Sequence, residues 1–115
     1  VWGDSAQLYV YSRRLMATRF AFTNYHAGII WGTNAIPGSA HPAVPSLVVP
    51  RAWTELLDDI ARTPPALIAD AAAAGLHDFE GHELEQYPQL WTIVHAHYRY
   101  ETTRSGIRIY RRIDS

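Results

Sequence analysis

Residues 50–70 read Pro50-Arg51-Ala52-Trp53-Thr54-Glu55-Leu56-Leu57-Asp58-Asp59-Ile60-Ala61-Arg62-Thr63-Pro64-Pro65-Ala66-Leu67-Ile68-Ala69-Asp70, and this stretch decides the fold class. Trp53, Leu56, Leu57, Ile60 and Ala61 fall at i, i+3, i+4, i+7 and i+8, the apolar stripe of an amphipathic helix. Pro50 suits the first helical turn, where its missing amide removes no hydrogen bond. Glu55, Asp58, Asp59 and Arg62 take the opposite, solvated face. Thr63-Pro64-Pro65 ends the helix, because proline lacks a donor and disfavours helical geometry in the residue before it. Ala66 to Asp70 is then a short continuous apolar run, as expected of a strand buried on both faces. Helix, proline break and buried strand predict an α/β domain.

Downstream, Ala71 to Glu85 is irregular and rich in His and acidic residues. Tyr87, Leu90, Trp91, Val94 and Tyr98 form a second helical stripe beginning at Pro88. Tyr100 to Thr103 and Ile107 to Arg112 flank Arg104-Ser105-Gly106, a hairpin signal with Gly able to take positive φ. Upstream, Val1-Trp2-Gly3 reads as the end of a strand. Asp4 is placed as N-cap and Gln7 at N3 of a helix from about Ser5 to Arg13. Thr18 to Thr23 alternates in the manner of a short strand. Asn24 to Val49 is a long loop punctuated by Gly and Pro. Its Ile29, Ile30 and Trp31 either tuck back onto the core or form a surface held against a partner or a bilayer interface. The expected architecture is a small mixed sheet flanked by about three helices. The Val1 and Ala66 strands are parallel neighbours in its core, and the C-terminal hairpin adds antiparallel edge strands.

The whole chain, 115 residues at 48% hydrophobic and 18% charged, has the size and composition of one folded domain. All ten cations are Arg, and with eleven acidic residues the net charge is −1. The absence of Lys excludes Schiff-base and phosphate-loop lysine chemistry, and the absence of Cys excludes disulfides and thiolate nucleophiles. Near-neutral charge argues against a nucleic-acid partner, despite Arg13-Arg14, Arg19, Arg104, Arg108 and Arg111-Arg112 beside aromatic residues. No long apolar run or signal pattern is present, so a soluble unit is expected. The start at Val1 without Met suggests a piece of a longer protein.

Two parallel strands ending at Asp4 and Asp70 would put both carboxylates, with Ser5 and a helix N-terminus, in one crevice able to bind a small ligand. Capping of a helix and a turn alone explains these residues, and it is the favoured reading over the crevice. His77 and His82, set among Asp78, Glu80, Glu83 and Glu85, offer metal-ligand types, but their spacing is not that of a helical zinc motif, so a solvated loop and no metal are expected. His95 is expected to face solvent and His97 to pack beside Tyr98, while His26 and His41 stand alone. The serines lack a nucleophile-elbow context, and no catalytic residue is assigned.

Several stretches, read in order, carry a family resemblance: Val1-Trp2-Gly3-Asp4-Ser5-Ala6-Gln7-Leu8-Tyr9, Ala17-Thr18-Arg19-Phe20, Trp53-Thr54-Glu55-Leu56-Leu57, Pro64 to Asp70, Tyr87-Pro88-Gln89-Leu90 and Gly106 to Arg112. Together they span nearly the whole chain. This order resembles the C-terminal soluble domain of bacterial polytopic membrane glycosyltransferases related to the protein-mannosyltransferases. The resemblance implies a parent enzyme that transfers sugar from a polyprenyl-phosphate donor on the extracytoplasmic side of the membrane. The catalytic acids, and in some members a divalent metal, would lie in the parent's N-terminal part, so no catalytic residue carries over to this chain. It further implies a non-catalytic accessory domain, without a cofactor of its own. Its partners would be the transmembrane part of the same polypeptide and a lipid-linked sugar or acceptor. A free-standing ligand-binding module using Asp4 and Asp70 is the competing expectation.

Overall fold

A computed structural model of the chain describes residues 1–3, 7–20, 23–28, 48–74 and 81–113. Helix α1 spans Gln7–Ser12, α2 Asn24–Ala27, α3 Pro50–Arg62 and α4 Pro88–His97. Strands β1 (Leu67–Asp70), β2 (Tyr98–Arg104) and β3 (Ile107–Arg112) form one sheet in the order β1-β3-β2. Single 3₁₀ turns occupy Ala72–Ala74 and Leu84–Gln86.

The helix, break and strand at residues 50–70 form in place. Pro50 opens α3, and Ala52, Trp53, Leu56 and Ile60 are buried along it. The Thr63 amide closes the last turn on the Asp59 carbonyl at 2.9 Å, and the two prolines then turn the chain into β1. Mixed helix and sheet is therefore observed, with two corrections to its arrangement.

The first concerns strand direction. Every ladder of the sheet is antiparallel, β1 pairing with β3 and β3 with β2. The expected parallel core is reduced to one isolated bridge between Trp2 and Asp70. The Trp2 amide donates to the Ala69 carbonyl at 2.7 Å, and the Ala71 amide donates to the Trp2 carbonyl at 2.9 Å. The ladder stops because Gly3 turns to φ 109 directly after this pair, leaving extended geometry. The second concerns helices: among the described residues only α3 and α4 are long, at 13 and 10 residues, while α1 and α2 show 6 and 4. α1 ends at Ser12, before the expected Arg13, which is left-handed at φ 55, and the expected start at Ser5 lies outside the described residues. Its proposed cap, Asp4, lies outside the described residues.

Two other elements differ. Residues 17–19 are bends and residue 20 is not in a strand, because the Arg19 amide bonds the Asp59 side chain at 2.9 Å where a strand would bond a neighbouring backbone. Tyr98 ends α4 with extended dihedrals (φ −130, ψ 155) and starts β2. There it stays buried, and its hydroxyl donates to the Pro65 carbonyl at 2.7 Å. The hairpin turn is the two-residue loop Ser105-Gly106, both left-handed at φ 51 and 79, the twist that matches flanking antiparallel strands.

One face of β1 and β3, carrying Ile68 and Tyr110, joins Leu56, Ile60, Leu90 and Val94 of the long helices and Tyr98 in a single core. Trp2 sits within it, its ring centroid 4.7 Å from that of Tyr87 and 5.7 Å from that of Trp53. The other sheet face is covered less. By the alternation of side chains and the register, Leu67, Ala69, Ile107 and Ile109 share that face, and all four are half-buried. The expectation that β1 is buried on both faces thus holds on one.

Candidate functional site

Four buried polar groups and one open groove define what the described residues offer chemically. Asp70, at the end of β1, is fully buried. Its Oδ1 accepts the amides of Ala72 at 3.1 Å and Ala73 at 3.3 Å, and its Oδ2 accepts that of Leu84 at 2.9 Å. Burial pushes this carboxyl up to about 6, against the pull of the three amides and of Arg108. Asp70 therefore caps one 3₁₀ turn and pins a second to the end of β1. Asp4 and Ser5, its expected partners in a crevice, lie outside the described residues.

Asp59 is the second group. It falls seven residues after Ala52 and three after Leu56, and so lies on the buried side of α3, at 2% exposure, contrary to the solvated face expected for it. It becomes the anchor of the segment before α2. Besides its amide, Arg19 donates from Nε to Oδ2 at 3.0 Å and from Nη2 to Oδ1 at 2.8 Å, and Arg62 adds a further bond to Oδ1. The Arg19 guanidinium and amide hold the Asp59 carboxyl well below the usual range, outweighing its burial. The spacing from Ala52 and Leu56 was the available signal, and the charge of the side chain obscured it.

His26 and Thr23 complete the set, and neither carried a sequence signal because both sit in or beside a short helical turn among irregular chain. His26 is 1% exposed, with Phe20 4.5 Å and Trp53 5.4 Å away edge-on between ring centroids. Nε2 lies 2.9 Å from the Ala52 carbonyl and must donate to it, which leaves Nδ1 as the unprotonated nitrogen, without a hydrogen-bond partner. Burial pushes the imidazole below its ordinary value, so the ring is neutral. The buried Thr23 hydroxyl accepts the Gly3 amide at 3.0 Å and donates to the Gly3 carbonyl at 3.2 Å, serving both backbone groups where the parallel ladder stops.

The remaining candidates are dispersed. Ile29, Ile30, Trp31, His41 and His77 lie outside the described residues. His82 is half-buried, its Nδ1 3.3 Å from the Tyr87 hydroxyl, and its carbonyl accepts the Trp2 indole at 3.0 Å. His95 and His97 are both exposed, as expected for His95, while Tyr98, the next residue, is buried. Among the described residues no group of three or more His, Asp and Glu is placed to hold a metal, and no helix is long and apolar enough to cross a membrane. The cations are largely engaged: besides Arg19 and Arg62, Arg51 pairs with Glu55, Arg108 with Glu85 and Arg111 with Glu101.

The open feature is a groove of about 740 Å³, a volume typical of small-molecule sites. One wall is α1 and the chain after it, with Leu8, Leu15 and Met16; the other comprises the end of α3, Pro64-Pro65 and the less covered sheet face. Leu15 is 96% exposed at its lip. No protein-family model, curated protein or solved structure matches the chain. Its reading therefore rests on this geometry and on the ordered motifs.

Proposed function

We propose that the chain is a non-catalytic accessory domain of a membrane glycosyltransferase that uses a polyprenyl-phosphate sugar donor on the extracytoplasmic side of a bacterial membrane. The ordered motifs support the parentage, and the observation that carries the non-catalytic role is the use of the buried carboxylates. A catalytic carboxylate needs a face open to substrate. Asp59 and Asp70 are closed off by internal donors, and among the bonds they accept those from Arg19 to Asp59 and from Leu84 to Asp70 tie distant segments of the fold together. What the domain presents outward is an apolar groove, suited to holding a hydrophobic body against it.

Two measurements test this reading. The open reading frame is expected to encode long hydrophobic spans immediately before Val1; a start codon adjacent to Val1 overturns the proposal. In the intact parent, with sugar transfer assayed in membranes, His77→Ala and His82→Ala are expected to retain activity within a few-fold. A loss of about a hundredfold or more, the size expected for a missing acid–base group, in a variant that folds would place catalysis in this domain.

A further inference from the structure

The groove has a charge pattern that its apolar walls do not require. Arg104 is the cross-strand partner of Ile107, so it stands on the same sheet face as Leu67, Ala69 and Ile109, at one end of the apolar strip. Arg14 borders the groove from the wall that follows α1. Both are exposed, and neither makes an ion pair among the described residues, whereas Arg19, Arg51, Arg62, Arg108 and Arg111 all do. Among the described residues that line the groove there is no Asp or Glu. Two uncompensated guanidiniums beside an apolar trough complement a molecule with an apolar body and an anionic head.

The geometry points to a single-chain alkyl carboxylate, a fatty-acid-like monoanion, as the occupant of this groove. Its chain lies along Leu67, Ala69, Ile107 and Ile109 opposite Leu15 and Met16, and its head pairs with Arg104 or Arg14. A monoanion is favoured over a phosphate dianion because the C-terminal end of α3 borders the groove through Ile60 and Thr63, and the negative end of a helix dipole opposes added negative charge. The inference rests on the groove alone and goes beyond the accessory role. A reading frame without upstream spans would leave it standing, and a groove that binds no carboxylate would leave the accessory role standing.

The test is titration of the 115-residue chain with dodecanoate below its micellar concentration, followed by calorimetry and by amide shifts in NMR. Saturable binding is expected, with shifts at Ala69, Ile107 and Ile109. Affinity should rise roughly tenfold for every two methylenes added from octanoate to dodecanoate. Arg14→Gln with Arg104→Gln should weaken binding by about tenfold or more, the worth of a charge-assisted bond, without altering far-UV circular dichroism. Both arginines are exposed, so the fold does not depend on them. Equal binding of dodecyltrimethylammonium or a neutral dodecyl maltoside would overturn the anionic assignment, and tighter binding of dodecyl phosphate would overturn the carboxylate. Absence of saturation below about 1 mM, where binding is worth only about 4 kcal/mol, would overturn the site itself. So would ligand-free dimerisation that shifts the same amides, since the groove would then belong to a second copy.

Discussion

Among the described residues, two buried titratable side chains respond to pH in opposite directions. The His26 ring is held below its ordinary value, so it is neutral in the fold but charges in the unfolded chain near pH 6.5. Its contribution is complete above about pH 6.5 and is lost as pH falls below that, because the unfolded state then binds more protons. Asp70 moves the other way. Raised from 3.8 to about 6, it contributes most below about pH 4, and that contribution is lost as pH rises through 6. Asp59 and Glu101, both shifted down, change stability only at more acid pH. Separating the two is direct. With Gln supplying an amide donor in place of Nε2, His26→Gln should change in stability more favourably than the parent chain on going from pH 7 to pH 5, because the loss from charging His26 in the unfolded state is removed. Asp70→Asn should instead lose stability over the same interval, and urea midpoints at the two pH values measure both slopes. Neither behaviour was legible in the sequence. His26 sits in a four-residue helix without periodicity, and Asp70 carries the same letter whether it caps a turn in water or in the core.

Element by element, the sequence is most legible where a local rule agrees with burial. α3 begins at its proline, buries Trp53, Leu56 and Ile60 of its stripe while leaving Ala61 exposed, and stops before Pro64-Pro65; the hairpin turns at Ser105-Gly106, where glycine suits the left-handed geometry. It is least legible where a side chain bonds across the fold. Thr18 to Thr23 has strand propensity, yet Asp59 takes the Arg19 amide and the chain bends. The Val1-Trp2-Gly3 strand is real for one bridge and ends because of Gly3. That glycine is held in place twice over, by φ 109 and by an approach that would set a new Cβ 3.1 Å from the Ala72 nitrogen and 3.3 Å from the Ala71 Cβ. Gly3→Ala is therefore expected to destabilise by more than about 1 kcal/mol and to lose hydrogen-exchange protection at the Trp2 and Ala71 amides first.

At the scale of the whole molecule, Trp2 links parts distant in sequence. Its backbone bridges the edge of β1, its indole donates to the His82 carbonyl, and its ring contacts those of Trp53 and Tyr87. Trp2→Ala should cost about 3–5 kcal/mol, a large part of the stability of a domain this size. Leu15→Ser, at the open lip of the groove, should stay within about 0.5 kcal/mol of the parent chain. A thermal melt of the two variants checks the contrast, and equal losses would mean that Leu15 is covered in solution. Composition, the α3 stripe, the proline break and the hairpin signal determined by themselves that this chain mixes helix and sheet and offers no lysine or thiol chemistry, because each is a local property of the chain. Strand direction, the burial of Asp59, Asp70 and His26, and the groove with two arginines that make no ion pair among the described residues were decided only by tertiary structure. Those depend on which distant backbone groups meet, and the free energy of burying a charge is set by its neighbours in space.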